Sequence, residues 1–344
     1  MTDTAAVRQT PRIYRAVTTT PWAIAPAKLA EIGEFIAMRS RGVPLERAEV
    51  EFALDGRPRP RDDADPPYRL IDRVALISLY GVILPRANLL LQFSGGTSTQ
   101  LFSQAVEQAV ADEEVETIVL DVDSPGGSVV GVQEAADTVR WATARKKVVA
   151  VATSQMASAA YWIGAAAGEV VASLSSQVGS IGVYSLHLDQ SRRDKKEGLR
   201  VTVIQRGQFK TDGIPHKRLT EQGRNTLQEQ VDAYYSMFVH SLAVDRRVSV
   251  ATVETDFGQG KTFLAQQATL AGMVDRVGTL GEIVGELRRP QAARSPLATS
   301  GRYRTLANRI RLLEMARAEG DLSTEAELDV TKRELAALES GAPN

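Results

Sequence analysis

Ser158 stands at a junction in the chain. Before it runs Val148-Val-Ala-Val-Ala152, a short apolar stretch of β type, followed by a small polar turn. After it comes the Ala-rich apolar segment Ala159-Ala-Tyr-Trp-Ile-Gly164, which reads as a helix. The first turn of a helix leaves backbone N–H groups unpaired and carries the positive end of the dipole. A serine there either caps the helix or acts as a nucleophile whose developing oxyanion those N–H groups meet. Three further features bear on the choice. Asp123-Ser-Pro-Gly-Gly127 follows a buried strand, and Gly126 and Gly127 allow backbone N–H groups to approach a ligand closely. Gly126 or Gly127, with the Ala159 amide, would form a two-donor oxyanion hole. Lys210, in Gln205-Arg-Gly-Gln-Phe-Lys210, follows a strand-like segment and a glycine. A lysine serves as general base when burial depresses its pKa, although spacing alone does not favour Lys210 over Lys195, Lys196 or Lys217. Ser180, in Val178-Gly-Ser-Ile-Gly-Val183, could hold a neutral lysine or simply sit in a turn.

The elements that must position these residues follow from periodicity. Val74–Gly81 and Thr117–Asp123 read as buried strands, and Val148–Ala152, Glu169–Ser173, Ile181–Val183 and Arg200–Ile204 as further strands. Helices are expected over Ser98–Ala111, with Leu101, Phe102, Ala105 and Ala109 inward, and over Ser128–Trp141, with Val129, Val132, Ala136 and Val139 inward. A long amphipathic helix spans Thr220–Val244, and a short one Phe263–Ala271 before a final strand within Gly272–Gly278. This strand–turn–helix alternation argues for an α/β fold with a largely parallel sheet.

The 344 residues suffice for one large or two modest cores, at 43% hydrophobic and 24% charged. Residues 1–67 read as an extension, with a helix over Pro26–Arg39 and a Pro- and charge-rich linker over Asp55–Pro67. Residues 68–288 form the main domain. Residues 289–344 are a linker and a charged helical tail, with Leu306, Ile310, Leu313, Leu328, Leu335 and Leu338 at helical spacing. A net charge of −1 gives no bulk attraction to nucleic acid or anionic membrane. There is no cysteine, which excludes disulfides, thiolate metal sites and a cysteine nucleophile. The N-terminus lacks a signal pattern, and Val74–Phe93 is interrupted by Pro85, Arg86 and Asn88, so a cytoplasmic protein is expected.

Four ordered motifs carry a family resemblance: Asp123-Ser-Pro-Gly-Gly127, Ala157-Ser-Ala-Ala-Tyr-Trp-Ile163, Gly179-Ser-Ile-Gly-Val183 and Gly207-Gln-Phe-Lys210. Together they resemble the signal peptide peptidase A family of serine peptidases. The soluble phage and prophage branch, the head-maturation (capsid) proteases, is the nearer match. The resemblance covers about Val74–Gly278. It implies a crotonase-like (Clp protease-like) α/β fold of repeated β-β-α units and a Ser–Lys dyad. By motif, Ser158 is then the nucleophile, Lys210 the general base and Ser180 its support, with Gly126, Gly127 and Ala159 forming the oxyanion hole. It further implies a polypeptide substrate, no metal and no cofactor. It implies a homo-oligomer whose sites lie between subunits, capsid or scaffold partners, and a place within an assembling procapsid as an alternative to the cytoplasm. Ala159 and Ala160 stand where that family commonly has two glycines.

Three rivals remain open at this point. His187 with Asp189 could complete a Ser-His-Asp triad. A crotonase-type acyl-CoA enzyme would use the same paired amides, with Asp123 or Glu134 as its carboxylate. A capsid or scaffold component could retain the fold without activity.

Overall fold

The computed structural model describes residues 21–30, 67–86, 96–288 and 325–340, together with single positions 32, 306, 309, 310, 313, 314 and 317. Its centre is one ten-stranded sheet with the main order β10-β7-β6-β5-β3-β2. The strands are β1 (Trp22–Ile24), β2 (Arg69–Ile71), β3 (Val74–Leu84), β4 (Gly96–Ser98), β5 (Thr117–Ser128), β6 (Lys147–Ala157), β7 (Glu169–Ala172), β8 (Gln177–Gly179), β9 (Thr262–Leu264) and β10 (Arg276–Val277). The pairs β3·β5, β5·β6, β6·β7 and β7·β10 are parallel. The mixed α/β architecture with a mostly parallel sheet is as expected.

Parallel strands must be covered on both faces, so they read as near-continuous apolar runs. On one face, Ile118, Leu120 and Val122 of β5 meet α1 (Thr99–Ala111), α2 (Val132–Thr143), α3 (Ala159–Gly164) and the C-terminal half of α5 (Glu221–Arg246). There Trp162 stacks on Phe238 with centroids 4.5 Å apart. On the other face, Val119, Val149, Val151 and Val171 pack under α8 (Leu280–Leu287) through Ile283 and Leu287. Local caps set the helix starts. Ser98 accepts from the Leu101 amide, Thr220 from the Gly223 amide, and Thr279 with Glu282 forms a capping box. The short helices α4 (Ser191–Lys196), α6 (Val250–Asp256) and α7 (Ala265–Leu270), and the tail helix α9 (Glu325–Ser340), complete the described elements.

Several local expectations are corrected. Ser124–Gly127 is not a turn, because β5 continues through it to Ser128, and α2 starts only at Val132. The polar turn expected before Ser158 is strand, since β6 runs to Ala157 and pairs with β8 there. Leu101 is exposed, on the outer side of α1. Ile181–Val183 forms no strand, the ladder there being Gln177–Gly179. Arg200–Ile204 is exposed and unpaired; its β-type alternation has no neighbouring strand to satisfy. Phe263 and Leu264 belong to β9, so α7 begins at Ala265. Trp22–Ile24, within the N-terminal extension, is a strand of the sheet. Ile36, Ala37 and both linkers lie outside the described residues.

Candidate active site

The site is built where β5, β6 and β8 end. The pairing Ala157↔Gly179 is the last rung between β6 and β8, and Ser158 and Ser180 both leave the ladder at that rung. Each has a left-handed φ, 57° for Ser158 and 55° for Ser180. The Ser158 amide donates to the Gly179 carbonyl at 2.6 Å, and the Ser180 amide to the Lys261 carbonyl at 2.8 Å. Ser158 has ψ −120° and occupies the cap position of α3, yet its side chain caps nothing. Its Oγ is buried and has no hydrogen-bond partner among the described residues. A serine that caps a helix accepts an amide hydrogen bond; this one instead holds a strained backbone and an unsatisfied hydroxyl. The α3 helix behind it is entirely buried, and the Tyr161 hydroxyl anchors it to the Met273 carbonyl at 2.8 Å.

Gly126 closes on Ser158 from β5. Its φ is 96°, and a Cβ placed on it would stand 3.0 Å from Ser158 Cβ and 3.0 Å from the Ala157 carbonyl oxygen. Only glycine permits that approach. Its amide takes Ser124 Oγ at 3.2 Å, and Ser124 Oγ in turn donates to the Gly81 carbonyl at 2.6 Å. Gly127 is pinned beside β3, where a Cβ would meet the Ile83 carbonyl oxygen at 1.9 Å. Ser158, Ala159, Gly126, Gly127 and Ser180 are thus gathered at one corner.

Lys210 is not gathered with them. It is exposed, on a stretch after α4 that runs to Thr220, and its amide donates to the Gly207 carbonyl at 3.2 Å. The described residues leave its side chain open to solvent. The contacts of that stretch run to its own neighbours: the Gln190 amide to the Pro215 carbonyl at 2.7 Å, and Thr226 Oγ1 to Asp212 at 3.0 Å. His187 sits in the same arm, its Nε2 3.2 Å from the Ile214 carbonyl, and hydrogen bonds from Ser191 hold the Asp189 carboxyl below the ordinary range. These two do not assemble a triad on Ser158. Asp123 and Glu134 are exposed.

One polar cluster escaped sequence reasoning. Asp121 is buried on β5, on the face opposite the main core, and accepts hydrogen bonds from Tyr80 and Thr153. Burial raises its pKa above the usual carboxylate range and pushes the Tyr80 hydroxyl to about 12. An acidic residue inside an otherwise apolar strand, facing a tyrosine one strand away, is the signal that could have found it. Among the described residues no group of three or more His, Asp or Glu side chains could hold a metal ion, and no helix is long and apolar enough to cross a membrane.

A mostly parallel sheet that delivers a strained serine with a free hydroxyl to a glycine-lined corner is the arrangement a serine nucleophile needs. Comparison with known proteins gives the likeness a name: residues 141–294 match the model described as Peptidase family S49. The chain is 28% identical to capsid assembly protease C of Escherichia phage lambda, over 77% of this chain and 60% of that protein. It is 29% identical to the head-tail preconnector protein GP5 of Enterobacteria phage P21, over 67% of this chain and 45% of that one. It is 22% identical to the chloroplastic serine protease SPPA of Arabidopsis thaliana, over 66% and 33% respectively. The chain therefore spans between a third and three fifths of these relatives' own length.

Proposed function

We propose that the protein is a serine endopeptidase in which Ser158 attacks the scissile carbonyl and Lys210 is the general base. The observation that carries this reading is the strained, buried and unpartnered Ser158 hydroxyl at the β6–α3 corner. Lys210 in neutral form takes the Ser158 proton as the hydroxyl attacks. The Ala159 amide and an amide of the Gly126–Gly127 strand receive the oxyanion, and Ser180 positions the lysine. Lys210 then protonates the leaving amine, and water hydrolyses the acyl-enzyme. Because Lys210 is exposed in the single chain, the base is supplied across an interface between copies, in line with the family resemblance. The phage relatives support capsid or scaffold polypeptides as substrates, within residues 68–288 as the peptidase domain.

The test is self-processing and casein cleavage by wild type, Ser158→Ala and Lys210→Ala, with the oligomeric state checked. Both variants should be silent yet assembled. Mixing them should restore up to a quarter or so of the activity, since some interfaces then pair an intact serine with an intact lysine. Cleavage by Lys210→Ala alone would reject the dyad, and no restoration on mixing, with both variants assembled, would reject the shared site.

A further inference from the structure

The N-terminal strand β1 runs along the end of β5, beside the corner that holds Ser158. It pairs antiparallel with the end of β5 in the register Trp22↔Ser128, Ala23↔Gly127 and Ile24↔Gly126. The Val129 amide donates to the Pro21 carbonyl at 3.3 Å, and the Ala25 amide to the Pro125 carbonyl at 2.8 Å. On its other edge, Trp22 exchanges both backbone hydrogen bonds with Tyr184, at 2.9 and 3.0 Å. β1 therefore bridges the edge of β5 and the backbone at Tyr184, which two ladder spacings would hold about 9–10 Å apart. An extended peptide of any origin could fill that gap by strand addition.

The segment comes close to the nucleophile. The Ala23 carbonyl oxygen lies 2.2 Å, and Ser158 Cβ 3.0 Å, from the point where a Cβ on Gly126 would stand. Ser158 is 1% exposed with β1 in place. Alternation sorts the side chains. Ala23 belongs to the main core, whereas Trp22 and Ile24 join Leu29, Ile32, Val82 and Leu84 in a separate apolar cluster against Tyr184. Pro21 and Pro26 bracket the strand, and Pro26 opens the helical turn at 26–30.

We infer that Pro21–Ala25 is a built-in occupant of the substrate channel, which keeps Ser158 covered until an extended polypeptide displaces it. The inference rests on Ser158 being the nucleophile. The displacing peptide has the pattern that β1 itself presents: a small residue at the Ala23 position, flanked by bulky apolar residues that fill the Trp22 and Ile24 positions. Departure of β1 withdraws only Ala23 from the main core, because Trp22 and Ile24 pack in a separate cluster.

The test uses the full chain and a fluorophosphonate probe, comparing wild type with Trp22→Ala and Ile24→Asp. Labelling should be at least tenfold faster in both variants, absent in the same variants carrying Ser158→Ala, and suppressed by a synthetic peptide of residues 18–27. If wild type labels as fast as the variants and labelling still needs Ser158, the occupant role is overturned while the nucleophile stands. If labelling persists without Ser158, the nucleophile assignment itself falls. Hydrogen exchange on wild type decides displacement without any variant. The Trp22, Val129 and Tyr184 amides should open together, at least tenfold faster than those of Ile118–Val122. Exchange of both groups only in one global event would overturn the inference.

Discussion

Replacing Ser158 should make the protein more stable, and the sign of that change separates a nucleophile from a cap. The backbone at Ser158, φ 57° and ψ −120°, belongs to a region that only glycine enters freely, at a cost of about 1–3 kcal/mol for any side chain with a Cβ. The hydroxyl is buried with no partner, which costs about 1–3 kcal/mol more. Ser158→Ala keeps the strain and removes the orphan hydroxyl, so a gain of about 1 kcal/mol or more is expected. Ser158→Gly removes both and gives back about 0.5–1 kcal/mol in unfolded-chain entropy, leaving a gain of about 1–5 kcal/mol. Urea unfolding of wild type and the two variants reads this directly as a shift in midpoint at constant slope. A capping serine behaves oppositely: alanine costs about 1 kcal/mol and glycine a few tenths. An alanine variant less stable than wild type would refute the reasoning. Gains in stability with loss of cleavage are the signature of a site that stores strain for its chemistry.

Other consequences follow from the same geometry. Gly127→Ala should destabilise by about 3 kcal/mol or more in thermal unfolding, because its Cβ would stand 1.9 Å from the Ile83 carbonyl oxygen, a backbone atom that cannot swing away. Burial holds Tyr68, Tyr80 and Tyr184 near pKa 12, against an ordinary 10.0. Their folded pKa is raised, so the stability they contribute is complete below pH 10 and is lost as pH climbs towards 12; circular dichroism across that window should show it, and less steeply for Tyr80→Phe. Arg246 is almost fully buried and bonds Asp275 with both terminal nitrogens, at 3.1 and 2.7 Å. Arg246→Met should cost about 2–4 kcal/mol, because Asp275 loses its cation and, among the described residues, keeps only the Val170 amide as a donor, and part of the loss should return with Asp275→Asn in a double-mutant cycle.

The order of elements was legible because buried parallel strands and amphipathic helices write different periods into the sequence. What misled was the chemistry of the corners. Pro125, Gly126 and Gly127 carry the residue types of a turn, yet they form strand, since β3 and β1 press on both edges and leave no room for a Cβ. Arg200–Ile204 carries strand alternation without a neighbour to pair with. β1 was too short to register as a period, although Trp22-Ala-Ile24 between two prolines was a usable cue. At the site, Ser158 and the glycines could be singled out locally, since small residues and a strand–helix junction are written in adjacent positions. The lysine could not, because whether a lysine is buried is decided by what packs on it, and Lys210 was named only through the family's motif order.

That dependence on packing carries a further prediction. The arm that bears Lys210 exposes Leu199, Val201, Val203, Ile204 and Phe209, with Ile204 96% exposed. Such a row of apolar side chains is costly to leave in water, at about 25 cal/mol for each Å². If a second copy covers the arm, one contact does two jobs: it removes apolar surface from water, and it buries Lys210 against the site where a base is required. Assembly and activity would then be a single equilibrium. Specific activity should fall on dilution in step with the mass seen by light scattering, and Ile204→Asp should abolish both together while circular dichroism stays unchanged. A monomer fraction that cleaves casein as fast per chain as the assembled protein would refute the link, because the proposed site takes its serine and its lysine from different copies.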